Sequence, residues 1–326
     1  MKILLTGASG FVGSHILDCL RRRGFDTALL LRHTSNKRFI TCHLPNVEVR
    51  PGSIGDPESL GRAMAGITHV VHCAGATKAA RAAGFSEVNQ AGTRNVVSAI
   101  NGQAGRVQQL VHISSLAAAG PAPRERPARE EDVPQPVSEY GKSKLAGELE
   151  VRDHCRAEYV ILRPPAVYGP RDAEFLRLFK AVKHHVQPRL GRTQALSLVF
   201  VRDLAEAVVT CLNHPAAAGR TYFVAAREVV TAQSMAEEIA AQMKVWTLPL
   251  PLPAGLLWPL CLGREVLSRV TGKPSVLSLQ KFAELRAPGW VCDPTRLERE
   301  TGCTCPTTLR AGAAQTLAWY QQHHWL

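Results

Sequence analysis

The stretch Thr6-Gly7-Ala8-Ser9-Gly10-Phe11-Val12-Gly13 constrains this chain more than any other. The apolar run from Lys2 to Leu5 ahead of it predicts a strand, and the amphipathic Phe11–Arg23 behind it predicts a helix. Three glycines between a strand and a helix N-terminus let the backbone close on a ligand. The free N–H groups and the helix dipole then suit a dinucleotide pyrophosphate. Thr27–Leu31, Val47–Arg50, His69–Ala74, Val107–Ser114 and Tyr159–Arg163 read as further strands. Between them Pro57–Ala65, Glu87–Asn101 and Tyr140–His154 read as helices. Strands apolar on both faces, separated by helices, predict a parallel sheet. Right-handed crossovers make it a doubly wound α/β sheet of the Rossmann kind.

A second constellation lies on this frame: Asn89, Ser114-Ser115, and Tyr140-Gly141-Lys142-Ser143-Lys144. Tyr140 and Lys144 are four residues apart and share a helix face. A cation beside a phenol favours the phenolate and is expected to lower the tyrosine pKa from about 10. Tyr140 then becomes a usable proton donor or acceptor. Tyrosine and lysine at this spacing are common on surfaces. Their order after the glycine turn, with a serine between, is what gives them weight.

The 326 residues suffice for one unit or two closely joined lobes. Residues 1–164 are assigned to the dinucleotide-binding core. Residues 165–326 complete it and build a small C-terminal substrate-capping lobe, mainly from 165–197 and 245–290. There the alternation loosens: pieces near Asp172–His185 and Leu248–Pro288 interrupt the Rossmann-like Leu198–Val201, Leu204–Leu212 and Thr221–Val224. Pro121–Pro136, rich in proline, arginine and acid, reads as a surface loop.

The segment Leu248–Gly263 is dense in Leu256, Leu257, Trp258 and Leu260, and Pro249, Pro251, Pro253, Pro259 and Pro274 preclude a long continuous helix. It suits a buried hinge, an apolar substrate lid or a weak, shallow membrane contact. No transmembrane segment and no signal peptide is expected, since Met1-Lys2 runs straight into the first strand. The nine cysteines are odd in number and scattered, as in a reduced cytoplasmic protein.

The net charge of +12 is dispersed, in Arg21-Arg22-Arg23, in Arg32 with Lys37 and Arg38, and around Arg124, Arg126 and Arg129. That argues for attraction of anionic ligands, not for a nucleic-acid partner. His72 and His112 fall in predicted strands as core residues, and no histidines stand at metal spacing, so no metal is expected.

These motifs resemble those of the extended short-chain dehydrogenase/reductases of the NAD-dependent epimerase/dehydratase superfamily. Within it the chain is similar to the 3β-hydroxysteroid (sterol) dehydrogenase-like branch. The resemblance rests on Thr6–Gly13, Val88–Thr93, Ser114-Ser115 before Ala119-Gly120-Pro121, Tyr140–Lys144, Leu162–Pro170 and Trp290–Asp293. It implies an NAD(P)-dependent enzyme acting on a small-molecule substrate, with a homodimer as one assembly.

By the same resemblance Tyr140 is the general acid/base, Lys144 bonds the nicotinamide ribose and tunes Tyr140, and Ser115 orients the substrate oxygen. Ser114 stays open as an alternative to Ser115. Thr6, Gly7, Gly10, Phe11, Val12 and Gly13 form the pyrophosphate turn. Cys73 and Ala74 lie along the cofactor, Pro164 to Val167 lie near the nicotinamide, and Asn89 supports the fold or a water chain.

The second strand of NAD enzymes of this architecture usually ends in an acid. Here it ends in Arg32, nineteen residues after Gly13. A guanidinium there pairs with a 2′-phosphate, which favours NADP. Stacking on adenine would admit NAD equally. At Ser53-Ile54, Ser53 stands where many relatives carry the aspartate that contacts adenine. Superfamily dehydratases place Asp-Glu after the catalytic hydroxyl, where this chain has Leu116-Ala117. Sugar-nucleotide epimerases usually place an asparagine for the diphosphate where this chain has Ala166. The resemblance therefore favours hydride transfer to or from a lipophilic, steroid-like secondary alcohol or ketone. A nucleotide-sugar 4-epimerase and a non-catalytic cofactor-binding protein are the alternatives.

Overall fold

The structure, a computed structural model, describes residues 1–79, 81–190, 193–252 and 279–326. Its centre is a seven-stranded sheet. Strand β1 (Lys2–Thr6) leads into helix α1 (Phe11–Arg22) and returns as β2 (Asp26–Leu31) and β3 (Glu48–Pro51). Helix α2 (Pro57–Ala63) then brings the chain back to β4 (His69–His72) on the other side of β1. Next come a short helix α3 (Ala82–Ser86), a π-helical turn (Glu87–Ala91) and α4 (Gly92–Asn101). They are followed by β5 (Gln109–Ile113), a one-turn helix α5 (Leu116–Ala119), α6 (Glu139–His154) and β6 (Glu158–Arg163).

Beyond β6 lie β7 (Ala166–Tyr168), α7 (Phe175–Lys183), β8 (Val186–Leu190), β9 (Ala195–Phe200) and α8 (Val201–Cys211). Strand β10 (Arg220–Phe223) then joins β6 at the sheet edge, giving the order β10-β6-β5-β4-β1-β2-β3 with every neighbouring pair parallel. The strand order reverses between β1 and β4. In a doubly wound sheet this is where a crevice opens at the carboxyl ends of the strands.

The apolar runs are buried on both faces because the pleat alternates them. Ile3 and Leu5 of β1 pack in the cluster with Ile16, Leu17, Leu20 and Val208, between the sheet and α1 and α8. Leu4 packs on the opposite face with Leu60, Val96, Ile100 and Val151 from α2, α4 and α6. Each such side chain, fully removed from water, contributes roughly 1.5–3 kcal/mol.

Outside the main sheet, β9 carries β7 and a short β13 (Gly289–Trp290) in parallel, and the antiparallel β11 (Val229–Thr231). A two-stranded sheet joins β8 to β12 (Leu248–Leu252), and helix α9 (Ala232–Met243) packs on α7 and on the last helix, Leu309–Gln322. The segment 121–136, expected as a surface loop, is one, and it is also stitched at two points to the chain around residue 290. Ala122 N donates to Gly289 O (3.0 Å) and Ala128 N to Val291 O (2.9 Å), with Ala122 and Ala128 both buried. Its charged composition hid this, because the pairing runs through backbone and small residues.

The apolar Leu256, Leu257, Trp258 and Leu260, read as hinge or lid, lie outside the described residues. Among the described residues no helix is long and apolar enough to cross a membrane.

Candidate active site

Strand β5 ends at Ile113, and the next two residues divide the serine question between them. Ser114 is buried and its Oγ donates to Glu148 Oε1 at 2.5 Å. Glu148, with no exposure, also accepts two hydrogen bonds from the equally buried Arg163, Nε at 2.8 Å and Nη2 at 2.6 Å. Ser114 is thus committed to a buried ion pair.

Ser115 has extended backbone, caps α5 by accepting from Ala117 N (3.1 Å), lines the cleft, and its hydroxyl favours the phenolate of Tyr140. Of the two serines, Ser114 is spent on Glu148, and Ser115 is the one that acts on Tyr140.

Helix α6 begins at Ser138, whose Oγ accepts from Gly141 N (3.2 Å), and it puts Tyr140 and Lys144 one turn apart on the side facing β5. Gly141 is needed for that approach: a Cβ there would lie 2.4 Å from Ala117 O. Gly147 does the same two turns on, where a Cβ would lie 2.5 Å from Asn89 O. Lys144 is 5% exposed, and its ammonium donates to Ile113 O at 2.7 Å. Burial lowers its pKa to about 8.

Tyr140 departs from expectation, since its pKa is raised and not lowered. Burial is the main cause, opposed by the Ser115 hydroxyl, while Glu284 and Cys73 add to the rise. The ammonium of Lys144 is turned onto Ile113 O and does not count among the groups that move the phenol. The ring of Phe85 meets Tyr140 edge-on, with centroids 6.0 Å apart.

Asn89 sits in the π-helical turn, 1% exposed. Its Oδ1 accepts from Ala76 N (2.8 Å), and its Nδ2 donates to Ala76 O (3.0 Å) and Ser143 Oγ (2.9 Å). It ties the loop after β4 to α6, so its amide is used for structure.

The glycine turn forms a cradle. Gly7 has φ +77°, and a Cβ there would lie 2.6 Å from Ala74 N; a Cβ on Gly13 would lie 2.1 Å from Gly7 O. Gly10, the N-cap of α1, offers no side-chain cap, and the first turn holds no acid. The backbone N–H groups there are left for an anion, so these residues fit a dinucleotide pyrophosphate.

Gly7, Gly10, Phe11, Val12, Gly13, Cys73, Asn89, Ser115, Tyr140, Lys144, Pro164, Pro165, Ala166 and Val167 line one cleft of about 1890 Å³. That exceeds the few hundred to 1,000 Å³ of ordinary ligand pockets. Thr6 lies beneath the turn, fully buried, with its Oγ1 2.8 Å from His72 Nδ1 and accepting from Ala74 N at 3.2 Å.

Arg32, Ser53 and Ile54 are not among the cleft-lining residues. Arg32 is exposed at the end of β2, Ser53 accepts from Gly55 N, and the Ile54 side chain packs against Gly92. Six residues beyond Arg32, in the same loop, Arg38 does line the cleft, with Asn36, Phe39 and Arg171. A basic run was visible there, but nothing in its spacing said which residue turns inward.

The cleft is also lined by Phe85, Ala117, Leu178, Leu196 and Trp290, and by the cations Lys78, Arg81, Arg177 and Arg189. Lys78 and Arg177 share Glu174 as an ion partner. Under the site, His72 is paired with Thr6 and Thr93, as a core histidine should be. His112 is equally buried, but neither of its ring nitrogens has a partner among the described residues.

A model of the NAD dependent epimerase/dehydratase family matches residues 3–225. A ceramide reductase of Caulobacter vibrioides is 31% identical over 331 residues, which cover 99% of this chain and 96% of the relative. A UDP-glucose 4-epimerase of Vibrio cholerae is 29% identical, covering 97% of this chain and 94% of its own. The solved UDP-glucose 4-epimerase of Thermus thermophilus, in complex with NAD, superposes with a TM-score of 0.78 at 24% identity, over 98% of this chain and 99% of that one.

Proposed function

We propose, for a chain that belongs to the NAD-dependent epimerase/dehydratase family, that it moves a hydride between a nicotinamide cofactor and a lipophilic secondary alcohol or ketone. The observation that carries this reading is that Ser115, Tyr140 and the buried Lys144 line the same cleft as the glycine turn.

When bound, the nicotinamide supplies or accepts the hydride at the carbinol carbon. Gly7, Gly10 and Gly13 would hold the pyrophosphate, and Lys144 would bond the nicotinamide ribose. In reduction Tyr140 gives its phenolic proton to the carbonyl oxygen as the C–H bond forms; in oxidation it takes the hydroxyl proton as that bond breaks. Ser115 donates to the same oxygen and steadies its developing charge. The buried Pro164, Pro165 and Phe85, which line the cleft, would limit the access of water to the reacting atoms.

Two features support a lipophilic substrate. Ala166 and Ala117 line the cleft where a polar diphosphate or elimination group would otherwise stand, and the ceramide reductase relative is named for a lipid. Steroid-like ring systems and long-chain amphiphiles both meet these terms.

Arg38, which lines the cleft from the loop after β2, supports a preference for NADP over NAD. A second reading, a sugar-nucleotide 4-epimerase, is favoured by one observation: Lys78, Arg81, Arg177 and Arg189 line the cleft and would suit a diphosphate.

The test is a substrate panel with NADPH, NADH and their oxidised forms, following nicotinamide absorbance. It includes steroid and long-chain ketones and alcohols, with UDP- and dTDP-sugars assayed separately for epimer formation. Turnover is expected on the lipophilic compounds, faster at low cofactor concentration with the phosphorylated form. Epimer formation from a sugar nucleotide, with no turnover of any lipophilic compound, would overturn the proposal and promote the second reading.

A further inference from the structure

The glycine turn fixes the pyrophosphate at the N-terminus of α1, so the adenosine half of a bound dinucleotide lies toward the loop that follows β2. In that loop Asn36, Arg38 and Phe39 line the cleft. Asn36 Oδ1 accepts from Arg38 N at 3.0 Å, which shapes the turn but leaves the guanidinium free to move. Arg38 is exposed. A free arginine side chain carries about 2 kcal/mol of rotamer entropy, part of which is lost on binding an anion.

The structure restrains this side chain from a distant part of the chain. The Arg38 guanidinium carbon lies 4.3 Å from the centroid of Phe39 and 4.9 Å from that of Trp325. Trp325 is itself fixed. The helix Leu309–Gln322 ends at His323, and His324 turns the chain back with φ +55°. Trp325 N then donates to Tyr320 O at 2.8 Å. The Trp325 ring stacks on Tyr320 with 8° between planes and meets Trp319 edge-on at 4.9 Å.

Tyr320 is fully buried, and its hydroxyl donates to Asp172 O at 2.5 Å, so the stack is anchored to the wall of the same cleft. Arg171 completes the group, 5.7 Å from the Phe39 centroid and paired with Asp18 at 2.8 Å.

We propose that Trp325 is a positioning residue for the cofactor: its ring holds the Arg38 guanidinium at the adenosine end of the cleft, so that the chain selects the 2′-phosphorylated dinucleotide. This rests on the cofactor reading above. The aromatic stack makes no charge of its own for the phosphate. It keeps a cation in place that would otherwise sample water, and so lowers the cost of ordering it on binding. Stacking also leaves the N–H edge of the guanidinium available for a bidentate pair with the phosphate.

The experiment measures Kd for NADPH and NADH by calorimetry in the full chain and in Trp325→Leu, Trp325→Phe, Arg38→Ala and Arg38→Ala/Trp325→Leu, each checked by thermal unfolding. Leucine keeps apolar bulk against Tyr320 and removes the ring face; phenylalanine keeps the face. Trp325→Leu is expected to weaken NADPH about three- to tenfold, as for loss of one cation–π contact and its restraint. NADH should change less than about twofold. Trp325→Phe should recover most of the loss, and the double variant should bind NADPH no more weakly than Arg38→Ala alone.

Equal weakening of both cofactors, or an additive double variant, would mean Trp325 serves only the fold and overturns the proposal. If Arg38→Ala weakens NADPH while Trp325→Leu does not, the clamp fails and the cofactor reading stands. If Arg38→Ala leaves NADPH affinity unchanged, the phosphate assignment on this loop fails and takes the clamp with it.

Discussion

Replacing Ser114 and Ser115 one at a time by alanine should separate stability from turnover. Ser114 Oγ is one of four donors on the buried Glu148, beside Arg163 Nε and Nη2 and Arg152 Nη2 at 3.3 Å. Ser114→Ala removes one charge-assisted hydrogen bond of about 1.5–3 kcal/mol, but the Arg163 pair stays whole. The loss should sit at the lower end, well short of the roughly 3–5 kcal/mol for leaving a buried charge unpaired. Denaturant unfolding should show that loss as a shift in midpoint with an unchanged slope. Turnover at saturating cofactor should stay within about threefold, since nothing that touches the substrate oxygen has changed.

Ser115→Ala removes a helix cap worth about 1 kcal/mol, and with it the donor aimed at the reacting oxygen. By comparison with other oxyanion donors, kcat should fall about 10²–10³-fold. A Ser114→Ala protein that folds normally but loses a hundredfold in kcat, beside a Ser115→Ala protein that keeps it, would refute the assignment.

Tyr140→Phe should cut turnover by about two orders of magnitude or more while cofactor affinity holds, whereas Lys144→Ala should damage both, as read by kcat and by cofactor titration. With Lys144 held near pKa 8, reduction is expected to be flat from neutral pH and to decline as pH rises through about 8, where the ammonium is lost. The same shift has a stability sign. The folded chain gives up this proton near 8 and the unfolded chain near 10.5, so between those values the unfolded state binds more protons. Raising pH through that window should therefore lessen the penalty that Lys144 imposes. Unfolding midpoints of the parent minus those of Lys144→Met should rise across it, and a flat difference would contradict the buried ammonium.

The first half of the molecule was legible because both faces of its strands are buried, so that long apolar runs separated by helical periods leave little choice of register. Tyr140 and Lys144 could be placed side by side because spacing along one helix fixes their neighbourhood, whereas Ser115, which follows β5, could be set beside them only by its order in the chain. What could not be read depended on where a side chain turns within a loop. Arg32 and Arg38 are equally basic and lie on the same connection, yet only Arg38 lines the cleft, because the loop continues through Asn36 and returns toward Trp325. The partnering of Ser114 with Glu148 and Arg163 joins residues far apart in sequence and leaves no local pattern. The stitching of Ala122 and Ala128 to the chain near residue 290 is written in backbone hydrogen bonds, which composition does not encode.

The sign of the Tyr140 shift ties the catalytic reading to the cofactor. A half-buried phenol near Glu284 and Cys73 resists ionisation, and the Ser115 hydroxyl, which favours the phenolate, does not reverse that. Lys144 cannot help from where it points, since it spends its short hydrogen bond on Ile113 O and is itself disfavoured by burial. The protein alone therefore keeps the proton on Tyr140, the state required to protonate a carbonyl oxygen. Taking a proton from an alcohol requires further positive charge near the phenol, and the oxidised nicotinamide is the group the cleft is shaped to admit. Oxidation should accordingly need a higher pH than reduction. Had the sequence-based expectation of a lowered phenol pKa held, the two directions would share a neutral optimum, so their measured separation tests which sign governs the site.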